Sequence, residues 1–275
     1  MSVNKDTVPL RVAIGAYGTV GAAVAQRLDE GIEGLTLSAV SARDRARAEE
    51  RVQQLRHPVP VLPLAKLAGV ADVVVECAPA AVFAEVAEPA VRAGRILMPI
   101  SVGALLLHWH LVELAAAHGA RIIVPSGALL GLDAVKAAAE GRIDSVRMVT
   151  RKPPRSLAGS PQIEQQGIDL DKIEQPLKVF EGTAREGAKG FPANVNVAAA
   201  LGLAGIGVDE THLEVWADPT VSRNTHSIVV EADSVRFELK IENVPTEQNP
   251  RTGKLVALSV IATLKRLVSP LVVGT

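Results

Sequence analysis

A single cysteine, Cys77, is all that this chain of 275 residues has, so no internal disulfide framework can staple it, and a reducing compartment is the natural setting. Charge of neither sign is in excess. The 29 Lys and Arg against 30 Asp and Glu leave a formal net charge of -1, which offers no electrostatic footprint for nucleic acid or a membrane surface. No apolar run reaches the length of a membrane span without charges. The opening residues, MSVNKDTVPL, lack the apolar core of a signal peptide. There is no internal repeat and no low-complexity tract. These absences lead to the expectation of a soluble, cytoplasmic protein with neither nucleic acid nor membrane as partner. Metal-ligand spacing is missing too. Of the six histidines, only His108 and His110 are close in sequence, and in a helical stretch residues two apart do not share a face. No cysteine or carboxylate spacing completes a site, so no metal is expected.

What the sequence does have is a strand, a glycine-rich turn, a helix and a second strand in residues 11–44. The turn Gly15-Ala16-Tyr17-Gly18-Thr19-Val20-Gly21 is close to the dinucleotide fingerprint G-x-G-x-x-G, with Ala16 where the first glycine usually stands. In that motif the second glycine lets the backbone approach a pyrophosphate, and the third lets the helix pack on the strand. The helix that starts here presents free N–H groups and a positive dipole end to phosphate. Gly15 through Val20 are therefore candidate cofactor contacts. The acidic residue that usually ends the second strand is missing. Ser41, Arg43 and Asp44 stand there instead. Ser41 and Arg43 suit a 2′-phosphate, while Asp44 can reach a ribose hydroxyl or simply cap the next helix, so NAD and NADP both remain open.

Further on, apolar strands at Asp72–Ala78, Arg95–Ser101 and Arg121–Pro125 alternate with helical stretches at Ala80–Gly94 and Ala104–Gly119. A short helix at Pro63–Gly69 and a polar helix at Asp44–Arg56 complete the first half. This spacing predicts a Rossmann-type doubly wound parallel sheet. After Gly127 the pattern changes. A helix is expected at Leu132–Glu140, a strand at Ser145–Thr150 ending in Arg151-Lys152-Pro153-Pro154, a long loop over 153–176, and an Ala-rich helix at Pro192–Ala204. Strands follow at Thr211–Ala217, Thr225–Ala232 and Val235–Val244. The last alternates cleanly, as a half-exposed antiparallel strand does. The expected organisation is a dinucleotide-binding domain over 1–128 and an α+β substrate and dimerisation domain over 129–250. A C-terminal helix in 251–275 would return to the first domain. In such folds ligands sit at the carboxyl ends of the strands, in the crevice between domains.

Several residues there can carry chemistry. Cys77 lies near a strand end, but Glu76 beside it raises rather than lowers a thiol pKa, which favours a structural cysteine. His226 opens a strand after Asp218-Pro219-Thr220-Val221-Ser222-Arg223-Asn224-Thr225, and the residues leave a proton acceptor and a surface strand histidine equally open. Arg151, Lys152, Lys189 and Arg223 are basic residues suited to an acidic substrate, each with an ordinary surface charge as its alternative.

Together, the segments GAYGTVG (15–21), SVGAL (101–105), VPSGALLGLDAVKAA (124–138), TRKPP (150–154), FPANVNVAAALGLAG (191–205), DPTVSRNTHSI (218–228) and ENVPTEQNPRTGKLVALSVIATLKRL (242–267) resemble the L-aspartate dehydrogenase family over nearly the whole chain. The resemblance implies an enzyme that uses NAD or NADP to deaminate L-aspartate oxidatively. The product, iminosuccinate, hydrolyses to oxaloacetate and ammonia or feeds NAD biosynthesis. It implies a homodimer acting on a small dicarboxylic amino acid. It also implies that His226 is the catalytic residue and that Ala128 and Asn196 are nicotinamide-cofactor positions. Two substrate carboxylates need cationic or N–H partners, for which Arg151, Lys189, Arg223 and Asn224 are the candidates. A dehydrogenase or reductive aminase for another small acid, and a non-catalytic NAD(P)-binding sensor, are the competing readings, since sites rather than folds define function.

Overall fold

The computed structural model describes residues 8–192, 195–249 and 252–274. They form two compact units. The first takes the chain through Ser101, then Leu107–Pro125 and Ala257–Val273. The second takes Val102–Leu106 and Ser126–Val256. The division falls at Ser126, slightly before the expected boundary. The first unit is not contiguous, because Val102–Leu106 belongs to the second.

In chain order the first unit begins β1 (Leu10–Gly15), α1 (Thr19–Asp29), β2 (Leu35–Ser41), α2 (Arg45–Val52), β3 (Val73–Glu76), α3 (Phe83–Arg92) and β4 (Ile96–Pro99). The expected helix over 104–119 is two helices, α4 (Val102–Leu107) and α5 (His110–His118). The physical reason lies in the burial. Val102 to Leu106 are all buried, whereas α5 buries only Leu111 and Ala115. The chain turns at His108–Trp109, between α4, buried over Val102–Leu106, and the half-exposed α5. His108 stacks on Phe83 at 5.6 Å, and its ring also meets His110 at 6.0 Å, so these two histidines do meet. Then β5 (Arg121–Ile122) closes the sheet. Its order is β2-β1-β3-β4-β5, and all four pairings are parallel. The strand order reverses direction between β1 and β3, so the carboxyl ends of those strands form the switch point where such sheets bind ligands.

The second unit continues with α6 (Leu132–Ala139), β6 (Ile143–Lys152), α7 (Pro161–Gln165), β7 (Leu177–Thr183), α8 (Ala184–Gly190), α9 (Asn196–Ala204), β8 (Thr211–Ala217), β9 (Thr225–Ala232) and β10 (Arg236–Glu242). The expected loop over 153–176 is partly folded. It holds a 3₁₀ turn at Pro154–Leu157, the helix α7, and a second 3₁₀ turn at Leu170–Lys172 capped by Asp169. The expected helix Pro192–Ala204 includes Ala193 and Asn194, which lie outside the described residues. The strand β6 runs two residues past its expected end and contains Arg151 and Lys152. The sheet order is β10-β9-β6-β8-β7. Only β6 and β8 pair in parallel. Val146, Met148, Thr150 and Lys152 of β6 are buried, on the face they share with Leu213, Val215, Ile228 and Val230. Last comes α10 (Lys254–Val268), whose Val260 and Leu264 join Val12, Ile14, Leu28 and Val40 in the core of the first unit.

The glycine turn is set by sterics. A Cβ at Gly21 would lie 2.0 Å from the Ala16 carbonyl oxygen and 2.8 Å from Ile14, so only glycine lets α1 approach β1. Ala16 takes φ 128°, a backbone region that favours glycine, as expected of the motif's first position. Such strain costs on the order of 1–3 kcal/mol. Gly21→Ala is therefore expected to lower unfolding stability in urea by at least about 2 kcal/mol. Ala16→Gly is expected to raise it by about 1 kcal/mol, since relief of strain exceeds the added chain entropy. A stability loss in Ala16→Gly would contradict this account of the turn.

Candidate active site

In the first unit the turn fits a dinucleotide. Gly18 is exposed, and a Cβ there would meet nothing within 4 Å, whereas Gly15 and Gly21 are enclosed. The first turn of α1 has no side-chain cap, and an uncapped helix N-terminus offers its first N–H groups to an anion. Tyr17 has a different part. Its N–H donates to the Ser41 carbonyl at 2.7 Å, its own carbonyl accepts from Arg51 Nη1 at 2.9 Å, and its ring lies under the Arg51 guanidinium at 4.5 Å. Tyr17 thus ties the turn to the ends of β2 and α2 and has no backbone group left for a phosphate. Ser41 is buried at the end of β2, Arg43 is exposed, and Asp44 caps α2 by accepting the Arg47 N–H at 3.1 Å.

At the carboxyl end of β3 stands a group whose role sequence reasoning missed. Glu76 is fully buried, its carboxylate accepting from Ala78 N–H at 2.7 Å, Ser101 N–H at 3.0 Å and Ser101 Oγ at 3.1 Å. Burial pushes its pKa up to about 7 against these hydrogen bonds. It joins the loops that follow β3 and β4. The signal was present as one acid inside the apolar run Val73-Val74-Val75-Glu76. Cys77 is inert as a nucleophile, because burial, and then the Glu76 charge, raise its thiol well above the ordinary value.

In the second unit the histidine is not a surface residue. His226 is 2% exposed and pairs across the sheet with Thr150 on one side and Ile241 on the other. Its Nδ1 lies 3.1 Å from Thr150 Oγ1. Lys152 is two residues beyond Thr150 on β6, so it shares that face. It is itself 4% exposed. Burial first, and then the positive charge of Lys152, bring the His226 pKa down to about 3, and burial brings Lys152 down to about 8. The imidazole is therefore neutral throughout the physiological range, beside a cation that titrates near its upper end.

The basic residues separate by strand alternation. Arg151 points to the opposite face from His226. It pairs with the buried Asp218 at 3.1 Å and stacks on Trp216 at 4.7 Å. Lys189 is exposed on α8, over β7 and β8 and on the far side of β6 from β9. There it lines a cavity of about 360 Å³ with Gln162, Phe180, Glu181 and Glu186. Arg223 is exposed near Glu242, whose pKa its charge helps to lower. So Arg151 and Lys189 are not brought to His226, and Lys152 is.

Ala128 and Asn224 meet through a residue that the motif reading did not single out. The buried Asn243 donates its N–H to the Asn224 carbonyl at 3.0 Å and its Nδ2 to the Ala128 carbonyl at 3.3 Å. Asn243 follows β10 two residues after Ile241, the register partner of His226, so Ala128 is held at the start of the strand that carries the histidine. Asn196 opens α9, and its Oδ1 accepts from Gly103 N–H at 2.9 Å. The loop before β9 is set by Asp218, which accepts from Thr220 N–H at 2.9 Å and Thr220 Oγ1 at 2.6 Å. Among the described residues no group of three or more His, Cys, Asp or Glu is placed to hold a metal, and no helix is long and apolar enough to cross a membrane.

A parallel sheet with an open glycine turn at its switch point, followed by a second sheet bearing a buried neutral histidine, defines a nicotinamide-dinucleotide-dependent oxidoreductase. Known proteins narrow the class. Residues 133–267 match the family model "Aspartate dehydrogenase, C-terminal", and 16–125 match "Homoserine dehydrogenase, NAD binding domain". L-aspartate dehydrogenase of Bradyrhizobium diazoefficiens is 56% identical over 97% of this chain and 94% of its own. L-aspartate dehydrogenase 3 of Bordetella bronchiseptica is 51% identical over 97% and 98%. The crystal structure of aspartate dehydrogenase from Thermotoga maritima superposes with a TM-score of 0.70 at 25% identity, covering 97% of this chain and all of that one. The chain belongs to the L-aspartate dehydrogenase family, as its motifs imply, and its cofactor is NAD or NADP.

The two raised or lowered groups oppose each other in acid. The His226 pKa is depressed, so its contribution to stability is present above 6.5 and is lost as pH falls toward 3. The Glu76 pKa is raised, so its contribution is present below 4.5 and is lost as pH rises through about 7. Replacing His226 by Asn removes only the first. Between pH 7 and pH 5 the variant is expected to retain about 2 kcal/mol that the parent loses through this group. Urea midpoints at the two pH values test it. An identical pH dependence in both proteins would show that His226 is not buried as a neutral base.

Proposed function

We propose that this protein catalyses the oxidative deamination of L-aspartate to iminosuccinate with NAD or NADP, and the reverse amination. The observation that carries the reading is the buried Thr150–His226–Lys152 cluster on one sheet face, in a chain of this family. The cofactor, when bound, supplies the hydride acceptor. The protein's part is binding, orientation and proton transfer. In this reading Thr150 Oγ1, 3.1 Å from His226 Nδ1, accepts from Nδ1–H, which leaves Nε2 as the free base. His226 Nε2 takes the proton from the substrate nitrogen, because only an amine whose lone pair is free can become the imine as the Cα–H electron pair leaves. Lys152 holds one substrate carboxylate by a charge-assisted hydrogen bond. That carboxylate offsets the lysine charge felt by the imidazole, so substrate binding itself makes His226 a stronger base. The Asn196 amide and the Ala128 loop, braced by Asn243, support the nicotinamide end of the cofactor. Arg223 and Asn224, in the loop before β9, remain candidates for the second carboxylate.

The family resemblance also supports a homodimer working in the cytoplasm. Gel filtration with light scattering tests the dimer.

With L-aspartate above pH 7.5, His226→Asn is expected to lose at least about a hundredfold in kcat. Thr150→Val is expected to lose about tenfold in kcat, with KM for aspartate little changed. Lys152→Met is expected to raise KM by about tenfold or more, while raising Tm because a buried charge is replaced by apolar volume. Full turnover in His226→Asn would remove the proposed base. Absence of aspartate turnover with both cofactors in the parent, despite cofactor binding, would favour another small-acid substrate.

A further inference from the structure

The corner where β2 ends and α2 begins carries more positive charge than a ribose hydroxyl requires. Dinucleotide folds that prefer an unphosphorylated ribose place an acid at the end of this strand. Here Ser41 ends the strand, Ala42 follows it, and the first acid, Asp44, has its Oδ1 committed to the Arg47 N–H as the helix cap. Arg43, Arg47 and Arg51 follow at intervals of four residues. In α2, Arg47 and Arg51 lie on one face. The direction of that face is known, because Arg51 reaches the Tyr17 carbonyl and ring inside the glycine turn. Arg47 is thus one helical turn nearer the end of β2, on the side of the glycine turn, and Arg43 lies in the connection itself. The other arginine at this corner, Arg45, is matched by Glu49 at 2.6 Å, and Glu50 lies a turn further along α2. Among the described residues neither Arg43 nor Arg47 has a side-chain hydrogen bond or an ion pair, and both are exposed.

We propose that Arg43 and Arg47 form a site for the 2′-phosphate of the adenosine ribose, making NADP the preferred cofactor of this chain. A phosphate monoester carries close to two negative charges and three acceptor oxygens, which suits two guanidiniums better than one hydroxyl does. The anchored Arg51 does not bind the phosphate. It fixes the helix face against the turn, so that the two free arginines meet the ribose that the turn positions. The inference rests on the dinucleotide reading of the first unit and is independent of which substrate is oxidised.

The test is calorimetric binding of NADP, NAD, 2′,5′-ADP and 5′-AMP to the full chain, in the parent, Arg43→Ala, Arg47→Ala and the double variant. The parent is expected to bind NADP and 2′,5′-ADP at least about tenfold more tightly than NAD and 5′-AMP, with a preference that shrinks as salt rises. The double variant is expected to lose that preference by about tenfold or more while its NAD affinity stays within about twofold. Retained NAD binding also shows that the variant is folded. Equal or tighter binding of NAD by the parent would overturn the proposal, and so would a double variant that weakens both cofactors alike. Aspartate turnover without cofactor preference would remove this site and leave the proposed function. A clear preference without aspartate turnover would do the reverse.

Discussion

A neutral imidazole held beside a lysine inside a sheet face is the constraint on which the second unit depends. Neither group belongs there by hydrophobicity. Burial opposes the charged form of both, and their mutual repulsion adds to the effect on the histidine. The face is otherwise built from Val146, Met148, Leu213, Val215, Ile228 and Val230, so water is largely kept from the cluster. That cost is intelligible if an anion completes the site. On the proposed mechanism, a substrate carboxylate beside Lys152 would turn a repulsive pair into a cation flanked by a counter-ion and a base, and would restore basicity to His226. A site of this kind stores part of its catalytic competence in the empty protein as lost stability.

The first unit works under a different constraint, the close approach of backbone to backbone at the glycine turn. Gly21 allows α1 to touch the Ala16 carbonyl, and Ala16 accepts a strained φ to make the turn. Tyr17 then gives its N–H, its carbonyl and its ring to the ends of β2 and α2. The turn, the end of β2 and the arginine face of α2 are consequently one rigid corner. If Arg43 and Arg47 bind the 2′-phosphate as proposed, cofactor preference is set by residues that never touch the pyrophosphate.

Much of this was readable from the residues. The strands of the parallel sheet are short apolar runs bounded by glycine and proline, and their order in the chain dictates the fold. The strands Thr211–Ala217 and Thr225–Ala232 stand where they were expected. Other elements left weaker traces. The strand β7 lies at a sheet edge, is largely exposed and carries a register shift between Lys178 and Phe180, so it shows no clean period. No element was expected over 177–183. The buried state of His226 was not legible either. The loop before it is polar, and its burial comes from β6 and β10 on either side, whose register no local pattern reveals. Glu76 was visible as an oddity, but its partners Ala78 and Ser101 belong to loops that only the fold brings together.

The adjacent pair Arg151-Lys152 shows why a two-residue error in a strand end matters for function. If the strand stopped at Thr150, both cations would lie in a loop, and either could reach the site. Because pairing continues to Lys152, alternation sends them to opposite faces. Lys152 joins His226. Arg151 crosses to Asp218 and Trp216, where it braces the start of the loop that delivers His226 to its place. Lys152 acts on the histidine through its charge, while Arg151 holds Asp218 on the opposite face. Exchanging them would keep composition and net charge while putting a forked guanidinium in a space shaped for an ammonium. It would also leave Asp218 with a partner that cannot bond and stack in the same way. Position on the pleat, rather than residue type, decides which cation serves the site.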